Sequence, residues 1–265
     1  MENSSQNDSE AEALSHTPAG EALSDALVAS AAARASTRPT RPRMALTRDL
    51  KRPTEYVQLM NGDFGRWAFN EERAPGFKGR WREQLGLEAG HKLDLEIGTG
   101  NGYHFAHLAE KNPGRAIVGI ELKYKPLVQS IRRALRTGAT NACIARYDAS
   151  HLVDLFAAAE LDNVYIHHPD PWLKKRQWKH RLIQDEFLVD LHRLMRPGGF
   201  VDFKTDSRDY FEWALERFKR GPFLLARETW DLHRSDWSSE NFVTHFETIF
   251  ISKGQPIHYA RLIRQ

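Results

Sequence analysis

A glycine-rich segment is the first feature of this sequence that points to chemistry. Gly98, Gly100 and Gly102 follow a short apolar run with the spacing G-x-G-x-G. Glycines at a strand-to-helix turn let the backbone approach a ligand closely and adopt positive φ. Nicotinamide-binding turns have the spacing G-x-G-x-x-G, so this segment disfavours a dehydrogenase. An ordinary tight turn is the alternative interpretation.

Three acidic residues strengthen the prediction of a ligand, because each ends or follows a predicted strand. Glu121 can accept hydrogen bonds from both ribose hydroxyls of an adenosine. Asp148 could meet the adenine edge, and Glu96 could face a cationic ligand. These acids suit a ligand with a sulfonium and an ammonium group better than one with a pyrophosphate, so we predict S-adenosyl-L-methionine as the cofactor. For each acid alone, a solvated loop residue or a helix cap is the alternative.

A stiff segment, His167-His168-Pro169-Asp170-Pro171-Trp172, follows the fourth predicted strand. Proline fixes φ, so we expect the segment to be extended and Asp170 to point into a cleft. Trp172 offers a stacking face, and a flat heteroaromatic substrate could donate N–H bonds to Asp170. A rigid structural turn is the alternative. The two histidines are more typical of a polar loop than of a metal site, and we predict no metal.

A basic run follows this segment directly. Its cations, interleaved with Trp178, are Lys174, Lys175, Arg176, Lys179 and Arg181. Such a run is typical of a contact with nucleic-acid phosphates, and a solvated helix start is the alternative. A second basic stretch, residues 34–52, contains seven basic residues and one acid, Asp49, and could add a mobile contact.

Two further polar features lie near the end of the chain. Asp206 ends the fifth predicted strand. Thr244-His245-Phe246-Glu247 matches a capping box, in which Thr caps a helix start and Glu reaches back to it. The alternative is that the same polar groups line the cleft.

The elements that position these residues follow from the apolar pattern. The predicted strands are 93–97, 116–120, 141–145, 163–167 and 200–204, and the predicted helices are 103–111, 126–136, 151–159, 186–195 and 210–219. Strands that alternate with helices indicate a parallel α/β sheet. Ligands bind such a sheet at the carboxyl ends of its strands, where all the candidate residues lie.

Length and composition predict one domain preceded by an arm. The chain has 265 residues and a net charge of +3. Residues 1–52 form an acidic and then basic stretch that we predict to be disordered, with a possible weak helix over 21–34. Residues 53–265 form the predicted catalytic domain. The single cysteine, Cys143, excludes an intrachain disulfide, and the chain has neither a secretory signal nor an apolar run of membrane-spanning length, so we expect a cytoplasmic protein.

From about Phe64 to Leu262 the sequence resembles the bacterial tRNA (guanine-N7)-methyltransferase family. The resemblance depends on Leu95-Glu96-Ile97-Gly98, Gly119-Ile120-Glu121, Asp148-Ala149, Pro169-Asp170-Pro171-Trp172 with its basic run, Thr205-Asp206 and Thr244-x-Phe-Glu247. It implies a Rossmann-like class I methyltransferase with a mostly parallel seven-stranded sheet and helices on both faces. It also implies methyl transfer to N7 of a guanine in the variable loop of tRNA.

The resemblance also assigns roles to residues. Asp170 becomes the catalytic candidate, and Glu96, Glu121, Asp148 and Asp170, with the three glycines, become cofactor contacts. Substrate contacts fall on Lys174, Asp206, Thr244 and Glu247, and RNA contacts on Lys175, Arg176, Lys179 and Arg181. This chain departs from the family at His168, where Phe is usual, at Gln177 and Trp178, which replace a His-Asn pair, and at His245, which replaces Lys.

Three other functions compete with this prediction. A methyltransferase with a small molecule or a protein as substrate is compatible with the same fold, but the basic run and Asp170 disfavour it. A non-catalytic RNA-binding module is disfavoured by the intact acids, and a dehydrogenase by the glycine spacing. Both a monomer and a homodimer are compatible with the sequence.

Overall fold

The strands form because short apolar runs are bounded by turn residues and are covered on both faces. A computed structural model describes residues 44–265 of the chain, apart from the side chain of His245. The strands are β1 (Ala68–Phe69), β2 (Lys92–Ile97), β3 (Arg115–Ile120), β4 (Ala142–Ala145), β5 (Asn163–His167), β6 (Phe200–Thr205), β7 (Leu224–Thr229) and β8 (His258–Ile263). All five strands predicted from the sequence are confirmed, to within one residue at each end.

The strands form one sheet in the order β1-β4-β3-β2-β5-β6-β8-β7. The pairs from β1 to β6 are parallel, and β8 is antiparallel to both of its neighbours. The mostly parallel α/β sheet is therefore confirmed, with eight strands instead of the expected seven. The short edge strand Ala68–Phe69 has only two residues, so it leaves no alternating pattern that sequence reasoning could detect.

The helices are α1 (Glu55–Asn61), α2 (Trp81–Gln84), α3 (Tyr103–Lys111), α4 (Tyr124–Arg136), α5 (Asp185–Leu194), α6 (Arg208–Arg220) and α7 (His245–Ser252). Helix α3 has its predicted bounds, and α4 begins two residues before Pro126. The helix predicted over 151–159 is wrong: a 3-10 helix spans Ala149–Asp154 instead. The Asp148 side chain accepts a hydrogen bond from the Ser150 N–H and starts this short turn two residues early.

Helices cover both faces of the sheet, as expected. In β3, Ile117 packs in one apolar cluster with residues of α3 and α4. Its neighbours Ala116 and Val118 pack in a second cluster with residues of α5 and α6, as does the buried Cys143 of β4. Because side chains alternate along a strand, the two clusters lie on opposite faces, here called the α3–α4 face and the α5–α6 face.

The predicted arm lies only in part within the described residues. Residues 1–43, including the possible helix over 21–34, are outside them. Thr47 is buried, and its hydroxyl donates to Glu71 Oε2 over 2.9 Å. Arg146 Nη1 also donates to Glu71 Oε2, over 2.8 Å, and to the carbonyl oxygen of Ala45. Residues 45–47 thus pack on the domain, although they were predicted to belong to the arm. They are held by polar contacts and not by an aromatic side chain of their own, so their composition does not reveal this packing.

Within residues 44–265, no helix combines the length and the apolar character that crossing a membrane requires.

Candidate active site

The glycine-rich loop connects β2 to α3 at the carboxyl edge of the sheet. Gly98, Gly100 and Gly102 all have positive φ, at 75°, 55° and 76°. A Cβ atom on Gly98 would meet nothing within 4 Å, and one on Gly100 would meet only the Phe246 ring, at 3.7 Å. A Cβ atom on Gly102 would clash with the backbone of Ser130 in α4. The first two glycines therefore leave room for a ligand, whereas Gly102 allows α4 to pack against the loop.

Glu121 lies beside this loop, immediately after β3. Its Oε2 accepts a hydrogen bond from the Gly100 N–H over 3.1 Å, and its Oε1 accepts one from the Lys123 N–H over 3.0 Å. Burial raises the pKa of the Glu121 carboxyl above its ordinary value. The next side chain, Leu122, is 48% exposed and offers an apolar surface at the same edge. A half-buried acid and an exposed aliphatic side chain thus lie together, next to backbone that a ligand can approach.

Glu96 is more enclosed than the sequence suggested. Only 3% of the residue is exposed, and its Oε2 lies 2.9 Å from Nδ1 of His104 in α3. Sequence reasoning missed His104, although its position two residues after Gly102 places it in the first turn of α3. The carboxylate of Glu96 therefore has a protein partner next to the glycine-rich loop.

Asp148 follows β4 and has the helix-cap contacts that were the alternative interpretation. Its Oδ1 accepts hydrogen bonds from the Ser150 N–H and hydroxyl, over 3.0 and 2.7 Å. Its Oδ2 lies 4.0 Å from His151 Nδ1. The side chain is half-buried and is held at the carboxyl edge of β4, next to the Glu121 strand.

The segment after β5 is bent where an extended backbone was predicted. His168 and Trp172 have φ of 50° and 46°, a left-handed conformation that is uncommon for residues other than glycine. Prolines at 169 and 171 restrict the residues between them but leave these two flanking residues free to turn. Backbone strain of this kind is concentrated at functional sites.

Asp170 lies between the two prolines of this bent segment. The residue is exposed, and within residues 44–265 its carboxylate forms neither a hydrogen bond nor an ion pair. The Trp172 ring lies 5.2 Å, centroid to centroid, from the His180 ring. The bent backbone therefore presents an uncompensated carboxylate to solvent with an aromatic ring two residues away.

Arg181 was predicted to contact RNA, and this prediction is wrong. Only 1% of the residue is exposed, and its Nε donates to the carbonyl oxygen of Pro171 over 2.8 Å. The guanidinium lies 4.5 to 5.2 Å from the ring centroids of Trp178, Tyr210 and Trp213. Burial lowers the pKa of this guanidinium. Cation–π contacts with these rings offset the cost of burying the cation. Through its hydrogen bond to Pro171, Arg181 fixes the segment that contains Asp170.

The other members of the basic run are accessible. Lys175, Arg176 and Lys179 belong to a 3-10 helix over Lys175–His180, and Lys174 caps its start; all four are exposed. Trp178 is not a free stacking face, since its ring packs edge-on against Trp213 at 5.1 Å. The run thus has one apolar side that anchors it and one charged side that faces solvent.

Glu247 is the centre of a buried polar cluster. Thr244 Oγ1 accepts from the Glu247 N–H over 3.2 Å, as the capping pattern predicted, but the carboxylate points elsewhere. Lys204 Nζ lies 3.1 Å from Oε1, and Asn241 Nδ2 donates to Oε2 over 2.8 Å. Burial alone would raise the pKa of Glu247, but its partners lower it to about 2. Glu247 is fully buried, so in this conformation it cannot touch a substrate directly.

His168 joins this cluster to Asp206 at the end of β6. Its Nδ1 lies 3.3 Å from Asp206 Oδ1, and its Nε2 lies 3.9 Å from Glu247 Oε1. Burial would lower the pKa of His168, but the two carboxylates raise it above its ordinary value. The pKa of Asp206 is lowered, because His168 outweighs the effect of burial. Lys204, Asn241 and His168 were not predicted to belong to the site. The sequence signal for this cluster was His168, which stands where Phe is usual in the family.

His167 faces the opposite way from His168. Both of its ring nitrogens are buried and lack a hydrogen-bond partner among the described residues, and burial lowers its pKa well below the ordinary value. Its ring lies 4.4 Å from that of His104. No group of three or more His, Cys, Asp or Glu side chains in residues 44–265 is arranged to hold a metal ion.

Known methyltransferases are similar to this chain in sequence. The family model described as "Putative methyltransferase" matches residues 91–260. A tRNA (guanine-N(7)-)-methyltransferase of Bdellovibrio bacteriovorus is 48% identical over 204 residues, which cover 77% of this chain and 98% of that protein. One of Bacillus subtilis is 35% identical over 186 residues, 70% of this chain and 86% of that protein.

One solved structure shares the fold. The structure of an antibiotic-related methyltransferase aligns with a TM-score of 0.50 and 17% identity, over 69% of this chain and 92% of that one.

Proposed function

Because this chain belongs to the tRNA (guanine-N(7)-)-methyltransferase family, we propose that it transfers a methyl group from S-adenosylmethionine to N7 of a guanine in the variable loop of tRNA. We assign Asp170 as the residue that positions the base. The observation that carries this assignment is the exposed carboxylate of Asp170, which lacks a protein partner within residues 44–265 and is held by a strained backbone and by Arg181.

The glycine-rich loop fits the cofactor. Gly98 and Gly100 have open space at positive φ, which lets backbone approach a ligand where a side chain would interfere. Glu121 and Asp148 lie on the two neighbouring strand ends, where they would hold the adenosine, and Leu122 would cover its apolar face. Glu96 would act on the cationic end, with His104 fixing its carboxylate. When bound, S-adenosylmethionine supplies an electrophilic methyl group on a positively charged sulfur.

The base brings its own nucleophile. Guanine N7 has an in-plane lone pair that Watson–Crick pairing does not use, so no residue has to remove a proton from it before it attacks. As the new carbon–nitrogen bond forms, the bond between the methyl group and sulfur would break, a neutral thioether would leave, and the positive charge would pass to the purine. A fixed carboxylate near the base stabilises that developing charge. Asp170 can also accept hydrogen bonds from N–H groups of the guanine and so fix its orientation. Its role is therefore electrostatic and positioning rather than that of a general base.

The exposed side of the basic run would bind tRNA phosphates. Lys174, Lys175, Arg176 and Lys179 follow Asp170 within nine residues and are all exposed. Asp206 and Thr244 would also contact the substrate. Glu247, which is fully buried, would act on the substrate only through His168 and Lys204. A tRNA substrate is consistent with a cytoplasmic site of action.

Replacing Asp170 with Ala tests the assignment. We expect turnover to fall at least about 100-fold, because a preorganised charge at the reacting base is lost. The free energy of unfolding should change by no more than about 0.5 kcal/mol, since the side chain is exposed and has no partner among the described residues. Methyl transfer to bulk tRNA is measured by strand scission at alkali-labile N7-methylguanine, and cofactor affinity by calorimetry.

Asp63→Ala, which removes another exposed acid, is the matched control and should behave as the wild type. Asp170→Asn keeps the shape and removes the charge, and we expect it to be nearly as slow as the alanine variant. Near-normal turnover of Asp170→Ala would refute the role of Asp170, and transfer by the wild type to a site other than guanine N7 would refute the function.

A further inference from the structure

Helix α4 has four basic residues and no acidic one. Its sequence, YKPLVQSIRRALR, includes Lys125, Arg132, Arg133 and Arg136. Arg133 and Arg136 lie in the last turn, where the helix dipole favours cations. Arg132 precedes the last turn, so the helix dipole does not explain its position. The three arginines also surround a common space.

That space is an open cavity of about 520 Å³ beside the glycine-rich loop. Its lining includes Arg132, Arg133, Arg136, Gln129, Asn101 and Tyr103, and it contains no acidic residue. Every side chain that reaches the cavity is therefore neutral or positive. We call this set of arginines, Arg132, Arg133 and Arg136, the α4 arginine cluster.

No acidic side chain of the described residues neutralises the cluster. Within residues 44–265 none of its members forms an ion pair, whereas other arginines do: Arg220 lies 2.7 Å from Asp185 and Arg227 lies 2.7 Å from Glu240. Arg133 is held in place by other means. Its Nε donates to the carbonyl oxygen of Asn101 over 3.1 Å, and its guanidinium lies 3.6 Å from the centroid of the Tyr103 ring. Guanidinium groups without acidic partners around a cavity are suited to phosphate oxygens.

The cluster is rigidly connected to the cofactor loop. Ser130, which lies three residues before Arg133 in α4, donates from Oγ to the carbonyl oxygen of Gly100 over 2.9 Å. Its Oγ also lies 2.9 Å from the Thr99 hydroxyl. Helix α4 belongs to the α3–α4 face, while Trp178 of the basic run packs on Trp213 of α6, on the other face. The carboxyl edge of the sheet, where the glycine-rich loop and Asp170 lie, offers a polyanion a path from one surface to the other.

We propose that the α4 arginine cluster is a second phosphate-binding site for tRNA, on the opposite face of the sheet from the basic run. This inference rests on the proposed function, because it takes tRNA as the polyanion. Its ligand is the sugar–phosphate backbone, which each guanidinium can bind through two parallel N–H donors. Two contacts on opposite faces would hold the RNA across the methyl-transfer site.

The test is a double substitution, Arg132→Gln with Arg136→Gln. Arg133 is left intact because it contacts the glycine-rich loop. The matched control, Lys92→Gln with Arg193→Gln, removes the same charge from two exposed positions, the first at the amino end of β2 and the second near the end of α5. The dissociation constant for tRNA is measured over a range of salt concentrations, and that for S-adenosylmethionine separately.

We expect the double variant to reduce the slope of log affinity against log salt by roughly 1.4 to 1.8, the loss of two phosphate contacts. Cofactor affinity should stay within about twofold, and the control should keep the wild-type slope. Equal slopes in variant and control would overturn the proposal. In a second arm, hydrogen exchange of α4 is followed with tRNA and with inorganic phosphate; protection by phosphate that tRNA does not extend would make the cluster a small-anion site and also overturn it.

The proposed function is tested apart from this inference by the wild type. If the wild type forms no N7-methylguanine in tRNA, the proposed function fails whatever the slopes are. If it does and the double variant binds tRNA as the control does, only the α4 site fails.

Discussion

Asp170 and Arg181 are two charged residues of one segment, and their roles differ because one is exposed and the other is buried. Asp170 is exposed with no partner among the described residues, and Arg181 is buried among three aromatic rings. The sequence identified both positions, but it assigned Arg181 to the RNA surface because charge runs carry no information on burial. Trp178 and Trp213 are far apart in sequence, so only the fold shows that they enclose the same guanidinium.

Replacing Arg181 should therefore affect stability before it affects RNA binding. We expect Arg181→Ala to lower the free energy of unfolding by roughly 2–4 kcal/mol, since it leaves a cavity and removes the hydrogen bond to Pro171. Its exposed neighbour Lys179 is the comparison: Lys179→Ala should change stability by at most about 0.5 kcal/mol and weaken tRNA binding. Urea unfolding and salt-dependent binding distinguish them. An Arg181→Ala variant as stable as the wild type would show that the buried Arg181 side chain does not stabilise the fold.

At the scale of elements, the strong periodic pieces were predictable and the bent ones were not. Helix α3 and the central strands follow from apolar spacing alone. The segment from His168 to Trp172 does not, because proline chemistry predicts an extended backbone between the prolines and says nothing of the left-handed residues beside them. The Glu247 cluster, formed by Glu247 with Lys204, Asn241 and His168, joins three elements that are distant in sequence, so no local pattern reports it.

This cluster makes stability depend on pH in two windows. The pKa of folded Glu247 is about 2, below its ordinary 4.5, so its contribution is present above about pH 4.5 and is lost as the pH falls toward 2. The shift corresponds to roughly 3 kcal/mol, shared with its partners. The pKa of His168 is raised, so its contribution is present below its ordinary value of 6.5 and is lost as the pH rises through the folded value.

Two variants separate the windows. Glu247→Gln should flatten the acid side of the stability profile and destabilise the protein near neutral pH, because Lys204 loses its buried partner. His168→Phe, which restores the residue usual in the family, should remove the loss on the alkaline side. Denaturant midpoints measured from about pH 3 to pH 8 give both profiles. A His168→Phe profile that falls with the wild type above neutral pH would show that another group titrates there.

At the scale of the whole molecule, the sheet places two basic surfaces on opposite faces. The α/β architecture and the parallel sheet were predictable from strands that alternate with helices, and the helices on both faces from the resemblance to the family. The eighth strand and the relation between the two surfaces were not, because they depend on a two-residue edge strand and on which side each helix packs.

Independent contacts on the two faces should add. We expect the slope changes of Lys175→Gln with Arg176→Gln and of Arg132→Gln with Arg136→Gln to sum in the quadruple variant, to roughly 3 units of log affinity per log salt. Fluorescence anisotropy with labelled tRNA measures all three variants on one scale. A quadruple variant no weaker than either pair would mean that both surfaces compete for the same phosphates.

The only thiol of the chain has a practical consequence for such work. Cys143 is fully buried in β4, and burial raises its pKa, so the folded protein presents almost no reactive thiolate. A cysteine introduced beside either basic surface would then be the single addressable handle on the native molecule. Dyes or photocrosslinkers attached there would report where the RNA runs, with no native cysteine to remove first.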